Sequence, residues 1–93
     1  MKLLFRLACL LLLLPRLVCA ANQVINIYAY TGEIPDFVVR QFEKENKIKV
    51  NLATYENNEI MYAKLRANKN AGYDIVMPSS YFVDRMRRQD LLE

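Results

Sequence analysis

The chain has 93 residues, no histidine and two cysteines, with thirteen basic and ten acidic side chains. Three of the basic residues (Lys2, Arg6 and Arg16) and both cysteines (Cys9 and Cys19) fall in the first twenty positions, so the remaining 73 residues carry ten charges of each sign. That remainder cannot be a disulfide scaffold, lacks the commonest zinc ligand and neutral-pH base, and has no net basic field for nucleic acid or anionic membranes.

Residues 1–20 have the three parts of an export leader. Lys2 and Arg6 form the positive head, Leu7 to Leu14 an unbroken apolar run, and Pro15 opens a short tail to Ala20. The run is much shorter than the roughly 20 apolar residues a membrane anchor needs. Lipidation at Cys19 would want a small residue before it, and Val18 is branched. Val18 and Ala20 suit cleavage before Ala21, so residues 1–20 are expected to be a signal peptide and residues 21–93 an exported domain.

After the leader, apolar patterning alternates strand and helix. Val24-Ile25-Asn26-Ile27-Tyr28-Ala29 is nearly continuous in apolarity, as a strand covered on both faces would be. Pro35 opens a helix with Asp36 in its positive first turn, and Ile34, Phe37, Val38 and Phe42 define one apolar face. Ile48 to Ala53 alternates apolar and polar residues, the pattern of a half-exposed strand near an edge. Asn57 or Asn58 can cap a second helix that turns Ile60, Met61, Leu65 and Ala67 inward. Asp74-Ile75-Val76-Met77 is a third, short strand, stopped by Pro78. Ser79 or Ser80 then caps a third helix carrying Val83 and Met86. The order β-α-β-α-β-α predicts an α/β fold with a parallel sheet, the first and third strands central and the second outside.

In such sheets ligands bind beyond the carboxyl ends of the strands. Three loops line that edge: Tyr30-Thr31-Gly32-Glu33, Tyr55-Glu56-Asn57-Asn58 and Pro78-Ser79-Ser80-Tyr81. Their rings, hydroxyls, amides and carboxylates suit a hydrogen-bonding or cationic small molecule. Each also has a plain structural reading: Tyr30 and Tyr81 as covers for strand ends, Glu33 as a solvated acid, the serines as caps. An enzyme is not expected, because no nucleophile–base pair, phosphate-cradling glycine loop or supported pair of acids is present. No cofactor or metal is expected. The basic residues Lys64, Arg66, Lys69, Arg85, Arg87 and Arg88 fall near helix ends, where they offset the dipole, and nucleic acid is not an expected partner.

Two stretches make the sequence recognisable: Tyr55-Glu56-Asn57-Asn58-Glu59-Ile60-Met61-Tyr62-Ala63-Lys64-Leu65, and Tyr73 to Met86 with its Pro78-Ser79-Ser80-Tyr81-Phe82-Val83-Asp84 centre. With Ile25–Tyr30, Gln41–Glu45 and Ile48–Val50, they resemble the start of the spermidine/putrescine-binding proteins, the periplasmic receptors of polyamine ABC transporters. The resemblance implies a periplasmic, two-lobed binding protein that closes on an extended polyamine and delivers it to permease subunits in the inner membrane. It implies ligand contacts at Thr31, Ser79 and Tyr81, and at Tyr30 where many relatives have tryptophan. Relatives often read aromatic-Thr-Glu-Tyr in the first loop, so Glu33 stands one position beyond the family's acid. It also implies about 300 residues in all, so residues 21–93 read as the incomplete start of the first lobe, truncated and lacking most of the grip on the ligand. The alternative expectation is a small exported α/β protein with no ligand of its own.

Overall fold

The computed structural model describes residues 22–93. The expected leader, the expected cleavage site after Ala20 and both cysteines lie outside the described residues. The described elements are β1 (Val24–Tyr30), α1 (Asp36–Asn46), β2 (Lys49–Tyr55), α2 (Asn58–Ala67), β3 (Ile75–Val76) and α3 (Ser80–Arg88).

The three strands form one parallel sheet in the order β2-β1-β3. β1 pairs with β2 along its whole length, from Val24 opposite Lys49 to Tyr30 opposite Tyr55. Its other edge meets β3 only at Ile27–Ile75 and Tyr28–Val76. β2 is outside, as its alternation predicts. β3 departs from expectation, for among the described residues it has one neighbour, β1, and Ile75 is 46% exposed. Its pairing is short because Asp74 joins β1 partly through its side chain. The Asp74 carboxylate accepts the Asn26 N–H at 2.7 Å, while the Asp74 N–H donates to the Asn26 carbonyl at 2.8 Å.

Side chains of a strand alternate between faces, and the two faces differ here. Tyr28, Tyr55, Met61, Tyr62, Leu65, Phe82 and Met86 form the buried core between the sheet and the pair α2 and α3, with Tyr73, Leu91 and Leu92 packed at its margin. Asn57 starts α2, its side-chain oxygen accepting the Ile60 N–H at 2.8 Å. The buried stripe of α2 is Met61, Tyr62 and Leu65; Ile60 and Ala67, expected inward, are exposed. The helix is rotated so that Met61 and Leu65, one turn apart, point at the sheet. In α3 the same spacing buries Phe82 and Met86, leaving Val83 outside.

The opposite face carries α1. Pro35 stands just before the helix and its carbonyl accepts the Val38 N–H at 3.0 Å. At the other end Lys47 adopts a left-handed φ of 53° and donates its N–H to the Glu43 carbonyl at 2.9 Å. Glu43 also anchors the next strand, its carboxylate accepting the Val50 N–H at 2.9 Å. The apolar face foreseen for this helix exists, but none of its residues is buried: Phe37, Val38 and Phe42 all stay exposed.

Candidate functional site

Parallel strands bring their carboxyl ends to one edge, and the loops leaving β1, β2 and β3 enclose a shallow cleft of about 400 Å³ there. Tyr30 to Glu33 form one rim, Tyr55 and Asn58 the floor, and Met77 to Ser79 the other rim. Of the five residues expected at the site, Tyr30, Thr31, Glu33 and Ser79 therefore come together. Tyr81 does not line the cleft: it sits on α3, 69% exposed, with its ring edge-on to Phe82 at 5.3 Å. Glu56, the second acid of the expected rim, is also exposed outside the lining.

The first rim is a tight turn. The Glu33 N–H donates to the Tyr30 carbonyl at 3.0 Å, and Gly32 takes a φ of +82°. That angle belongs to the third position of a type II turn, which a Cβ disfavours. Nothing lies within 4 Å of the Cβ that an alanine would add at Gly32, so Gly32→Ala tests backbone strain alone. It is expected to lower stability by about 1 kcal/mol, read as a drop in the urea midpoint at unchanged slope. The turn also folds the Glu33 carboxylate back towards the chain, where one oxygen accepts the Tyr30 N–H at 3.2 Å. Glu33 is also one of the residues that line the cleft.

Tyr55 holds the floor. Its ring packs edge-on against Tyr28 at 5.2 Å and Tyr30 at 5.9 Å, and its hydroxyl donates to the Met77 carbonyl. Its carbonyl accepts both the Thr31 N–H at 2.9 Å and the Thr31 hydroxyl at 3.1 Å. Burial first, and the nearby Glu33 carboxylate second, push the Tyr55 phenol above its ordinary value. A phenol that holds its proton more tightly when folded stabilises the fold fully below pH ~10, the unfolded value, and loses that contribution as pH rises through the folded value. Stability should therefore fall on moving from pH 8 to pH 11, and the fall should be smaller in Tyr55→Phe. Urea melts at the two pH values check this; an equal fall in both proteins contradicts it.

The loop pattern of the sequence puts Tyr55 and Asn58 at this edge without making them ligand contacts, and it reads Met77 only as the end of the third strand. Tyr55 reads as the first residue of the second loop, whereas the strand runs on to include it, paired with Tyr30 of β1. The finished cleft is lined by one carboxylate (Glu33), two tyrosines, the hydroxyl residues Thr31 and Ser79, and one amide (Asn58). Such a set can neutralise an ammonium and hold the methylenes beside it.

No protein-family model matches the chain. Curated and solved proteins do. It is 44% identical over 72 residues to the spermidine/putrescine-binding periplasmic protein of Escherichia coli, an overlap of 77% of this chain and 21% of that protein. The spermidine/putrescine-binding periplasmic protein 1 of Haemophilus influenzae is 43% identical over 75 residues, 80% of this chain and 21% of that one. Among solved structures, the spermidine/putrescine ABC transporter substrate-binding protein PotD of Streptococcus pneumoniae superposes with a TM-score of 0.70 at 33% identity, covering 74% of this chain and 21% of that chain.

The parallel sheet and its helices thus match the start of a periplasmic substrate-binding protein. By sequence and by fold the chain is related to the spermidine/putrescine-binding members of that class. It spans about a fifth of the length of the curated relatives it matches (21%).

Proposed function

We propose that the cleft binds a polyamine, spermidine or putrescine, as part of the substrate-binding component of an ABC importer whose permease subunits take up the ligand. The observation that carries this reading is the convergence of Tyr30, Thr31, Glu33 and Ser79 on one cleft at the carboxyl edge of the sheet. The names of the related proteins supply the ligand class. Glu33 serves an ammonium and the Tyr30 face serves the charge and its methylene stem, while Thr31 and Ser79 supply polar contacts. Tyr81 joins them on this reading by turning its exposed ring over the rim. The role is binding, not catalysis. The site of action is the periplasm, reached through a leader cleaved after Ala20, and residues 21–93 are part of the first lobe.

Ligand pockets normally bury 70–90% or more of a ligand's surface, and the described residues form a shallow cleft with one carboxylate on its lining. Binding by this chain is therefore expected to be weak, with a dissociation constant on the order of millimolar. Calorimetry with spermidine, using sodium chloride at matched ionic strength as the control, tests this. Micromolar or tighter binding contradicts the one-sided site. A response equal to that of salt contradicts polyamine binding itself.

A further inference from the structure

The rim that carries Ser79 is fastened in an unusual way. Pro78 has no N–H, so the loop between β3 and α3 lacks a main-chain donor at that position. Met77 donates its N–H to the Tyr28 carbonyl at 3.0 Å, continuing the sheet. Two further attachments come from either side of the loop after β2, from the last residue of β2 and the first of α2. The Tyr55 hydroxyl donates to the Met77 carbonyl at 2.5 Å, and the Asn58 side-chain oxygen accepts the Ser79 N–H at 2.9 Å. They bracket the proline.

The neighbouring asparagines divide the work. Asn57 caps α2, leaving Asn58, the first residue of that helix, free to reach across the cleft floor. Ser79 stands at the N-cap of α3, where a serine ordinarily turns its hydroxyl onto the helix, yet its side chain makes no capping bond. Asn58 secures Ser79 through the main chain, while the Ser79 hydroxyl makes no capping bond and Ser79 lines the cleft. Tyr55 meanwhile reaches both rims, binding Thr31 through its carbonyl and Met77 through its hydroxyl.

We infer that Tyr55 and Asn58 form a two-point clamp that fixes the spacing of the cleft's two rims before any ligand arrives. They act as positioning residues, since each touches the residues that line the rims. The consequence for affinity rests on the polyamine reading above; the clamp itself does not. A site held in its binding geometry avoids the ordering cost that a loose loop would incur on binding.

Amide hydrogen exchange on the ¹⁵N-labelled chain tests the clamp without ligand. Asn58→Ala should speed exchange of the Ser79 amide by about tenfold, the effect of losing one hydrogen bond. Asn58→Asp keeps the accepting oxygen and should return that amide to the wild-type rate, a rescue that a general loosening of the fold would not give. Tyr55→Phe keeps the ring, and should shift the Met77 and Ser79 resonances and speed the same amide. In every variant the amides of Asp36–Asn46 should keep their wild-type rates. A Ser79 amide that exchanges equally in wild type and Asn58→Ala overturns the clamp, as does acceleration spread evenly over α1.

Spermidine titration of the same samples supplies the second arm. Tyr55→Phe and Asn58→Ala should each weaken binding by about threefold to tenfold. Unchanged affinity beside a loosened Ser79 overturns the positioning role. If wild type shows no spermidine response while Ser79 still depends on Asn58, the polyamine reading falls and the clamp stands.

Discussion

Met61→Ala is expected to unfold the domain. Met61, on α2, is wholly buried in the core among the described residues, which it shares with Tyr28 and Tyr55 of the sheet and Phe82 and Met86 of α3. Truncating a buried methionine to alanine costs about 2–5 kcal/mol, because lost burial adds to the cavity left behind. Single cores in chains of this size seldom supply more than about 3–5 kcal/mol in total. Without a disulfide to restrain the unfolded state, the substitution takes most or all of that margin. The adjacent residue gives the control. Ile60 is 58% exposed, so Ile60→Ala should change stability by less than about 0.5 kcal/mol. Far-UV circular dichroism with urea titration reads both. A cooperative, near-wild-type transition in Met61→Ala would mean that the core lies elsewhere.

Glu33→Gln should weaken spermidine binding by about tenfold or more. A hydrogen bond to a charged group is worth about 1.5–3 kcal/mol, and Glu33 is the one carboxylate on the cleft's lining. Glutamine is nearly the same shape and keeps a carbonyl oxygen for the Tyr30 N–H that Glu33 accepts at 3.2 Å. The turn geometry survives and the charge alone is removed. Ser79→Ala, which removes a neutral hydroxyl, should cost only about threefold. The ordering matters as much as the sizes, and competition titrations in low salt measure it. Equal affinity in wild type and Glu33→Gln would exclude the carboxylate from the ligand contacts.

Much of the fold was legible because its signals are local. The apolar run from Val24, the alternation from Ile48, Pro35 before a helix and the Asn57 cap each reflect chemistry within a few residues. What stayed hidden depends on packing between elements. Ile60 is as apolar as Met61, and only the orientation of α2 against the sheet decides that Met61 and Leu65 go inward. The apolar face of α1 is plain in the sequence, yet its exposure follows from where the helix lies, beside β2. β3 reads as a central strand from its apolarity, but Asp74 takes over part of its pairing and β1 is its single neighbour among the described residues.

The candidate site divides in the same way. Tyr30, Thr31, Glu33 and Ser79 stand in loops at strand ends, and strand order alone brings such loops to one edge. Tyr81 stands in the same recognisable stretch, but helical geometry carries its ring away from the lining. Tyr55 and Asn58 stand in the second of the edge loops, but their hydrogen bonds to Met77 and Ser79 span 22 and 21 residues of sequence, which no spacing rule reports.

The most direct test is a ¹⁵N–¹H correlation spectrum of the chain titrated with spermidine at constant ionic strength. Binding at the proposed cleft predicts saturable shifts of the Tyr30–Glu33 amides and of Met77 and Ser79, with α1 unmoved. Shifts confined to the acids outside the cleft, or none in these two rims when spermidine reaches tens of millimolar (about tenfold above the expected dissociation constant), would contradict a polyamine site at the carboxyl edge of the sheet.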